Sequence, residues 1–470
     1  MKTANSAEQT VQHKCVKQLL ERHNERTKKS KQFTAKYRPI LADSTAVMGF
    51  NVLVKEMVYP IVAKHSLGSR VWDVDDNEYI DLTMGLGVNL FGHNPPFIKA
   101  ALQEQIEKGI QIGPQSEFVG EVAELICEMT GMERVAFSNT GTEAVMAAIR
   151  LARTATNRNK IAIFSGSYHG HFDGTLVKAQ TENGNLRVVP IVPGVSSSII
   201  EDVLVLDYDK PKSLEAIAAR APELAAVLVV PVQTNRPNLQ PKTFLHQLRQ
   251  LTQELGIALI FDEMVTGFRI HPGGAQAHFG VKADLATYGK IVGGGMPIGI
   301  IAGAAAYMDG IDGGMWSFGD SSCPQIKRTF FAGTFCKHPL AMAAARSVLW
   351  YLKSQGPALQ QQLNQRTAQF IQTLNAYFQV EEIPIEMAHF SSFFGPALLA
   401  DEVYLPENSA TFRNLQLLYY HLLDRGVMFR GVGGYLSTAH TDKDIDYIIQ
   451  AVKDSTRELR EGGFLSLSNC

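Results

Sequence analysis

The sequence lacks the features that mark several large classes of protein. Its first residues, MKTANSAEQTVQHK, have no apolar core of the kind that a secretory signal peptide needs. The longest nearly apolar stretch, residues 296–308, is too short and too rich in glycine to span a bilayer. The five cysteines are odd in number and include no CxxC pair, which indicates neither a disulfide framework nor a zinc knuckle. We therefore expect a cytoplasmic protein that does not enter a membrane.

An excess of charge of one sign is also absent. The 44 basic and 46 acidic side chains leave a formal charge of −2, so broad electrostatic binding to nucleic acid or to an acidic membrane is not expected. Hydrophobic residues make up 45% of the chain, which excludes wholesale disorder. A length of 470 residues suits one large α/β enzyme with a satellite domain as well as roughly three separate domains.

Residues 1–38 differ from the rest of the chain. Up to residue 36 they contain no glycine or proline, and nine basic side chains outnumber three acidic ones, which favours a charged, solvated leader or linker. A docking helix is the alternative, because a few apolar side chains lie on one side of the segment: Val11, Val16, Leu19 and Leu20. Further on, alternation of apolar and polar side chains over residues 69–82 predicts a hairpin.

Short apolar runs separated by helical stretches dominate residues 134 to about 305. Runs of this kind are typical of strands buried on both faces and joined by crossover helices: RVAFS, KIAIF, LAAVLVV, IALIF and IIAGA. We predict an α/β fold with a mostly parallel central sheet in a large domain, residues 96–335. Residues 39–95 and 336–470, from both chain ends, are predicted to form a smaller α+β domain.

The strongest chemical signal is an aspartate and a lysine 28 residues apart. Asp262 ends an apolar run, at the edge where α/β sheets place their ligands, and Lys290 precedes three consecutive glycines. A P-loop is excluded because no glycine stands five residues before Gly289, and a dinucleotide fingerprint because the stretch contains no GxGxxG. A Schiff-base lysine and a structural surface lysine both remain possible at this point.

A second signal is the segment FSNTGTEAVMAAIRLAR, residues 137–153, which predicts a strand end, a turn and an amphipathic helix. Free N–H groups at Gly141 and Thr142, a hydroxyl and the helix dipole together make an anion site, although a plain N-cap is the alternative. Thr334 offers another hydroxyl before a helix that begins near Pro339.

The segment GSYHGHFDG, residues 166–174, follows a predicted strand. Tyr168 could stack on a flat ring. His169, His171 and Asp173 on a flexible turn make a poor closed metal site, so we expect no metal.

These signals together suit one ligand, pyridoxal 5′-phosphate. Its aldehyde needs a lysine to bond, its ring nitrogen needs an acid, its ring needs stacking faces, and its phosphate needs a helix N-terminus.

The sequence resembles the class III (fold type I) pyridoxal-phosphate-dependent aminotransferases. Its motifs fall in family order over about residues 38–460: WDVDDNEYIDLTMGLGVNLFGHNPP, SNTGTEAVMAAIRLAR, YHGHFDG, DEMVTGFR, DLATYGKIVGGGMPIG and AGTFCKHPLAMAA. The nearest likeness is to the aminotransferase domains of hybrid polyketide/nonribosomal peptide synthetases, as in VQTNRPNLQPKTFLHQLRQLT, and then to glutamate-1-semialdehyde aminomutase.

The resemblance implies a role for each matching residue. Lys290 would bond the cofactor and carry the proton, Asp262 would pair with the ring nitrogen, and Thr334 would reach the phosphate in a homodimer with shared active sites. The further positions implied in cofactor binding are Ser138, Asn139, Thr140, Gly141, Thr142, Tyr168, His169 and Met264.

Departures from the aminomutase pattern favour transfer between two molecules. Val432 or Gly433 replaces a glutamate of the mutases, and Asn51 aligns with their carboxylate-binding arginine, although Lys55 is close by. Loss of that arginine suits a masked carboxyl group, so we expect an amino-acid donor and a β-ketoacyl thioester held by a carrier protein. An insert at residues 313–331 either shapes the acyl or carrier-protein entrance or is a surface loop. An aminomutase, and a catalytically silent module of an assembly line, are the alternatives.

Overall fold

The structure is a computed structural model that describes residues 2–47, 49–182, 185–397, 410–429 and 433–465. It divides into two compact units, one of Pro96–Gln362 and one of Met1–Pro95 with Leu363–Cys470.

The described residues form both helices and strands. The helices of the described residues are α1 (Lys2–Arg26), α2 (Lys28–Tyr37), α3 (Met84–Gly87), α4 (Pro96–Lys108), α5 (Val119–Thr130), α6 (Gly141–Thr156), α7 (Ser197–Ile200), α8 (Pro211–Ala219), α9 (Lys242–Glu254), α10 (Gly274–Phe279), α11 (Ala305–Asp312), α12 (Pro339–Gln355), α13 (Ala358–Val380), α14 (Ala410–Asp424) and α15 (Asp442–Glu461). The strands are β1 (Ala63–Leu67), β2 (Arg70–Asp73), β3 (Glu78–Asp81), β4 (Arg134–Ser138), β5 (Lys160–Phe164), β6 (Val177–Glu182), β7 (Asn185–Pro190), β8 (Val203–Leu206), β9 (Leu224–Val229), β10 (Ala258–Asp262), β11 (Leu285–Tyr288), β12 (Gly299–Gly303), β13 (Met387–Phe390), β14 (Phe393–Pro396), β15 (Val427–Met428) and β16 (Gly434–Tyr435).

The larger unit is built on a seven-stranded sheet in the order β4-β12-β11-β10-β9-β5-β8. Neighbouring strands from β11 to β8 run parallel, and β12 runs antiparallel to both β11 and β4. The predicted α/β fold with a mostly parallel sheet is therefore confirmed. Strands β4, β5, β9, β10 and β11 consequently end at one edge of the sheet.

The central strands are apolar because helices cover both of their faces. Every residue of β9 and of β10 is buried, including the aspartate that ends β10. Helix α6 packs on the sheet through small side chains such as Ala144 and Ala148, which let its backbone approach the strands closely. Two strands of this sheet, β8 and β11, were not among the predicted runs.

The larger unit was predicted to end at residue 335, but in the structure it extends to Gln362. Helix α12 belongs to the larger unit, because its alanine-rich face packs against α4 and α5.

The smaller unit contains two sheets, one in the order β1-β2-β3-β15 and one in the order β13-β14-β16. The predicted hairpin is confirmed, since β2 and β3 pair antiparallel with Val71 opposite Tyr79. Among the described residues, no helix is both long and apolar enough to cross a membrane.

The first 37 residues are not a solvated leader, so the leading expectation for them is wrong. Helix α1 buries Val16 and Leu19 and packs against α14 and the 3-10 helix Val52–Met57. Arg22 donates hydrogen bonds to Asp424 Oδ2 at 3.0 Å and to Glu458 Oε1 at 2.6 Å. The alternative, a docking helix, is what the structure shows: one apolar stripe and a few ion pairs hold a mostly polar segment in place.

Candidate active site

The first turn of α6 is an open anion site. Thr140 caps the helix by accepting from the backbone N–H of Glu143 at 3.2 Å, and the Glu143 carboxylate accepts from the N–H of Asn139 at 2.6 Å. This reciprocal capping leaves the N–H groups of Gly141 and Thr142 without a partner inside the helix. The sequence interpretation of this turn as more than an N-cap is therefore compatible with the geometry.

Asp262 lies at the carboxyl end of β10 and is 4% exposed. Its Oδ1 accepts from the Met264 N–H at 3.2 Å and from the Thr287 hydroxyl, on the parallel strand β11, at 3.3 Å. Its Oδ2 lies 2.8 Å from Nδ1 of His169. A buried carboxylate is costly without such partners, and these contacts hold it in one orientation.

His169 joins the loop after β5 to Asp262, although the two residues are far apart in the chain. Because an ionised carboxylate only accepts hydrogen bonds, the Nδ1 atom carries the proton that it donates to Asp262. The other ring nitrogen, Nε2, is buried and has no hydrogen-bond partner among the described residues. A buried nitrogen without a partner calls for an explanation, and a ligand that binds at this edge of the sheet would supply one.

Lys290 follows β11 and opens the 3-10 helix Lys290–Gly293 with a φ of 43°, in the left-handed region that non-glycine residues rarely adopt. Its amine makes no hydrogen bond and no ion pair with any described residue. Burial lowers the pKa of Lys290, the charge of Asp262 raises it, and the guanidinium of Arg269 lowers it further. The net result is an amine that is easier to deprotonate than an ordinary lysine.

Met264 lies between the anion site and the lysine. A Cβ atom on Gly141 would lie 2.8 Å from its Sδ, and a Cβ on Gly289 would lie 2.9 Å from the same atom. Both glycines are therefore required by the close approach of this side chain, which brings α6, the end of β10 and the lysine turn together.

Two predicted residues are exposed in the single chain. The Tyr168 side chain is 72% exposed, and Thr334 lies in an exposed turn before α12. Neither contacts Asp262 through a hydrogen bond recorded among the described residues.

The structure adds Gln233, which the sequence analysis did not single out. Its Nε2 donates to the Ser165 carbonyl and to the Ser167 hydroxyl, both at 2.8 Å, and its buried Oε1 has no partner in the described part of the chain. The signal was present in the sequence, because this polar side chain stands three residues after the apolar run LAAVLVV, near the same sheet edge.

Glu263, next to Asp262, has a different role. Its buried carboxylate accepts from the Thr266 hydroxyl and from the N–H groups of Ala275 and Gln276, and burial raises its pKa to about 6. These contacts fix the loop between β10 and α10, so we interpret Glu263 as a structural residue.

The residues present fit pyridoxal phosphate. They supply a free amine, a buried carboxylate, an unpartnered imidazole nitrogen and a helix N-terminus with two free N–H groups, all within one unit of the protein. This combination defines an enzyme site for an anionic aldehyde cofactor.

Comparison with known proteins gives the family. The model of the family Aminotransferase class-III matches residues 52–439, and the chain belongs to this family of pyridoxal-phosphate-dependent enzymes. The chain is 36% identical to a glutamate-1-semialdehyde 2,1-aminomutase of Desulfitobacterium hafniense over 413 residues, which cover 85% of this chain and 91% of the relative.

Two solved structures are similar along nearly their whole length. A transaminase with pyridoxal phosphate bound has a TM-score of 0.79 and 28% identity, covering 93% of this chain and 99% of its own. A β-phenylalanine aminotransferase from Variovorax paradoxus has a TM-score of 0.78 and 27% identity, covering 95% of this chain and 98% of its own. The fold is therefore that of a fold type I pyridoxal-phosphate transferase, and the cofactor is pyridoxal phosphate.

Proposed function

We propose that Lys290 bonds the cofactor, that Asp262 pairs with its ring nitrogen, and that the first turn of α6 holds its phosphate. The single observation that supports this most strongly is the buried His169–Asp262 pair, which ends at the same sheet edge as a lysine amine without a partner. Ser138, Asn139 and Thr140 form the turn that exposes the N–H groups of Gly141 and Thr142.

Bound pyridoxal phosphate supplies an electrophilic carbon and a ring that accepts electrons from a substrate amine. The chain's own residues manage the protons. Asp262, whose Oδ2 lies 2.8 Å from Nδ1 of His169, would hold a proton on the ring nitrogen. Lys290, whose pKa burial lowers, would carry a proton between the substrate carbon that bears the amino group and the cofactor carbon on the other side of the same nitrogen.

Tyr168 and Met264 are proposed to cover the two faces of the ring. Thr334 is proposed to reach the phosphate of a second copy of the chain, so that a homodimer shares its active sites. The exposure of Tyr168 and of Thr334 in the single chain is compatible with both assignments.

For the substrates, we propose transfer of an amino group from an amino-acid donor to a keto group, the β-ketone of an acyl thioester on a carrier protein. Asn51 supports a substrate without a free carboxylate, because it is uncharged and its side chain caps a 3-10 helix by accepting from the Leu53 N–H at 2.9 Å. The similarity to a β-phenylalanine aminotransferase supports an amino group at the β position.

The insert at residues 313–331 is proposed to shape the entrance for the acyl group or the carrier protein. It has an irregular backbone and exposes large apolar side chains, among them Met315, Trp316 and Phe318 at 82%, 45% and 93%. Exposed apolar groups in such number favour a contact surface over an ordinary loop.

The second candidate is an aminomutase that moves the amino group within one molecule. Several similar relatives, at 34–36% identity, are glutamate-1-semialdehyde aminomutases, and this similarity favours the intramolecular reaction more strongly than any comparison supports a carrier-bound substrate. Val432 lies outside the described residues. At Gly433 a Cβ atom would collide with the Phe394 carbonyl, so this position has no room for a carboxylate side chain in this chain. A silent module is disfavoured by membership of an enzyme family.

One experiment separates the two candidates. The holoenzyme is supplied with a panel of ¹⁵N-labelled amino acids and a β-ketoacyl carrier protein, or with glutamate-1-semialdehyde alone, and the products are weighed by mass spectrometry. Label in a β-amino acyl product supports the proposal. Turnover of the semialdehyde without a second substrate overturns it in favour of the aminomutase.

The assignment of Lys290 has its own test. Borohydride reduction of the holoenzyme, followed by peptide mapping, is expected to leave the reduced cofactor on Lys290. Label on any other lysine, or no label, would contradict the assignment.

A further inference from the structure

The hydroxyl of Thr142 has a partner that a phosphate ligand does not need. Its Oγ1 accepts a hydrogen bond from the backbone N–H of His171 at 3.2 Å. Thr142 is the second residue of α6, and His171 lies in the loop after β5, two residues beyond His169. One side chain therefore joins the anion site to the loop that carries the partner of Asp262.

The backbone of the loop approaches the first turn of α6 too closely for a side chain at Gly170. Gly170 has a φ of 82°, and a Cβ atom there would collide with the Thr142 hydroxyl and lie 3.0 Å from the Thr142 Cα. The loop thus lies directly on the first turn of α6. A glycine is required both by the left-handed backbone and by this contact.

A threonine hydroxyl has one hydrogen to donate and two lone pairs that accept. The His171 N–H occupies one lone pair, so the hydrogen remains free to point at an anion at the helix N-terminus. Hydrogen bonds in such a chain polarise and strengthen one another. An anion at the helix is therefore expected to strengthen the bond that holds the loop.

We propose that Thr142 is a positioning residue that couples the anion site of α6 to the His169–Asp262 pair. When the anion site is filled, the loop is held more firmly, and the His169 ring is fixed against the carboxylate that pairs with the cofactor nitrogen. The coupling rests on the proposed roles of α6 and Asp262, whereas the hydrogen bond between Thr142 and His171 is present without cofactor.

The test uses three variants of the full-length protein. Thr142→Val keeps the shape of the side chain and removes the hydroxyl, and Thr142→Ser keeps the hydroxyl. Thr156→Val is the matched control, because Thr156 ends the same helix and its hydroxyl bonds only backbone groups close to it in the chain among the described residues: the Ala152 carbonyl at 2.8 Å and the Arg158 N–H at 3.4 Å.

The first readout is amide hydrogen exchange at His171 in protein freed of cofactor. Thr142→Val is expected to accelerate exchange roughly fivefold to tenfold, the factor that corresponds to one ordinary hydrogen bond, while Thr142→Ser and Thr156→Val leave it unchanged. Gly170→Ala is expected to accelerate exchange across the loop without removing the hydroxyl. Unchanged exchange in both Thr142→Val and Gly170→Ala would contradict the proposal that the Thr142 contact holds the loop.

The second readout is the pH midpoint of the cofactor absorbance band in the holoenzyme, with inorganic phosphate binding to the cofactor-free protein as a companion measurement. The proposal predicts that phosphate slows exchange at His171 in the natural protein and not in Thr142→Val. It also predicts that the pH midpoint shifts in Thr142→Val and stays at its natural value in Thr142→Ser.

One outcome would show that Thr142 only binds phosphate and does not couple the two sites. In that outcome Thr142→Val binds phosphate more weakly, but the pH midpoint and the exchange at His171 are unchanged. Failure of Lys290 to take up label would overturn the proposed function and leave the exchange result standing.

Discussion

The carboxyl edge of the seven-stranded sheet and the N-terminal helices α1 and α2 are both rich in polar side chains, but for different reasons. At the sheet edge, polar residues follow apolar strands, and the topology itself brings Asp262, Lys290 and the turn before α6 to one side. In α1, a few buried residues such as Leu19 anchor a mostly polar helix. A polar residue at the end of a buried strand therefore indicates chemistry. In a polar N-terminal segment, by contrast, a narrow stripe of buried apolar side chains decides whether the segment folds.

The largest expected effect is at the sheet edge. Lys290→Ala removes the amine that the proposed reaction uses to move protons, and it is expected to lower the transfer rate by about 10³-fold or more. Lys282→Ala, at an exposed lysine of the same unit, is the control and is expected to keep its activity. The rate is measured by single-turnover kinetics, and equal rates for the two variants would contradict the assignment.

Two adjacent carboxylates sharpen the contrast between chemistry and structure. Asp262→Asn keeps the shape of the side chain but not its charge, so it is expected to lower the transfer rate on the order of 10²-fold. Glu263→Gln disturbs the hydrogen bonds to Ala275 and Gln276 and is expected to lower the thermal midpoint with a much smaller effect on rate. Rates and melting curves of both variants check this, and the reverse pattern would exchange the two roles.

The site was more predictable from the sequence than the domain boundaries. Asp262 stood out because it ends an apolar run, and a parallel sheet gathers such strand ends at one edge. Lys290 stood out because three consecutive glycines follow it closely. The His169–Asp262 and Thr142–His171 contacts could not be predicted, because they join residues distant in sequence through one hydrogen bond each. Strand β11 was missed for another reason: the run LATY is short and was read only as the start of the lysine motif.

The N-terminal segment was misjudged because composition does not reveal which side chains are buried. Nine basic residues suggested solvent on all sides, yet His23, Thr27 and Ser30 are fully buried together with Val16 and Leu19. The Thr27 hydroxyl donates to the His23 carbonyl, and the Ser30 hydroxyl accepts from the Val62 N–H, so these two hydroxyls have partners inside the fold. A polar stripe satisfied by hydrogen bonds looks the same in sequence as a solvated one.

The docking of α1 is tested at its most buried side chain. Leu19→Ala removes a fully buried group and leaves a cavity, so it is expected to lower the free energy of unfolding of the smaller unit by about 2–4 kcal/mol. Val11→Ala, on the same helix with a side chain 47% exposed, is the control and is expected to change it by less than about 0.5 kcal/mol. Denaturant unfolding followed by hydrogen exchange in α1 measures both. Equal small losses would mean that α1 is solvated after all.

A smaller effect, confined to acidic pH, is expected from His23. Its ring lies 5.4 Å from the Tyr59 ring and 5.5 Å from the Tyr420 ring, and neither ring nitrogen has a partner among the described residues. Burial lowers the pKa of His23 to about 4; Asp424 opposes the shift, and the cations nearby, Arg26 and Lys31, add to it.

The sign of the pH dependence follows from this lowered pKa. In the unfolded chain a histidine has a pKa of about 6.5, so between pH 6.5 and 4 the unfolded state binds a proton that the folded state excludes. Stability of the smaller unit is expected to fall by up to about 3 kcal/mol as the pH falls through this window. His23→Gln removes the titrating group and is expected to flatten the curve relative to the natural protein. His13→Gln, at an exposed histidine of the same helix, is expected to leave it as steep. Unfolding midpoints measured from pH 7 to 4 decide the matter, since parallel curves for the natural protein and His23→Gln would show that the ring of His23 is accessible to protons in the folded state.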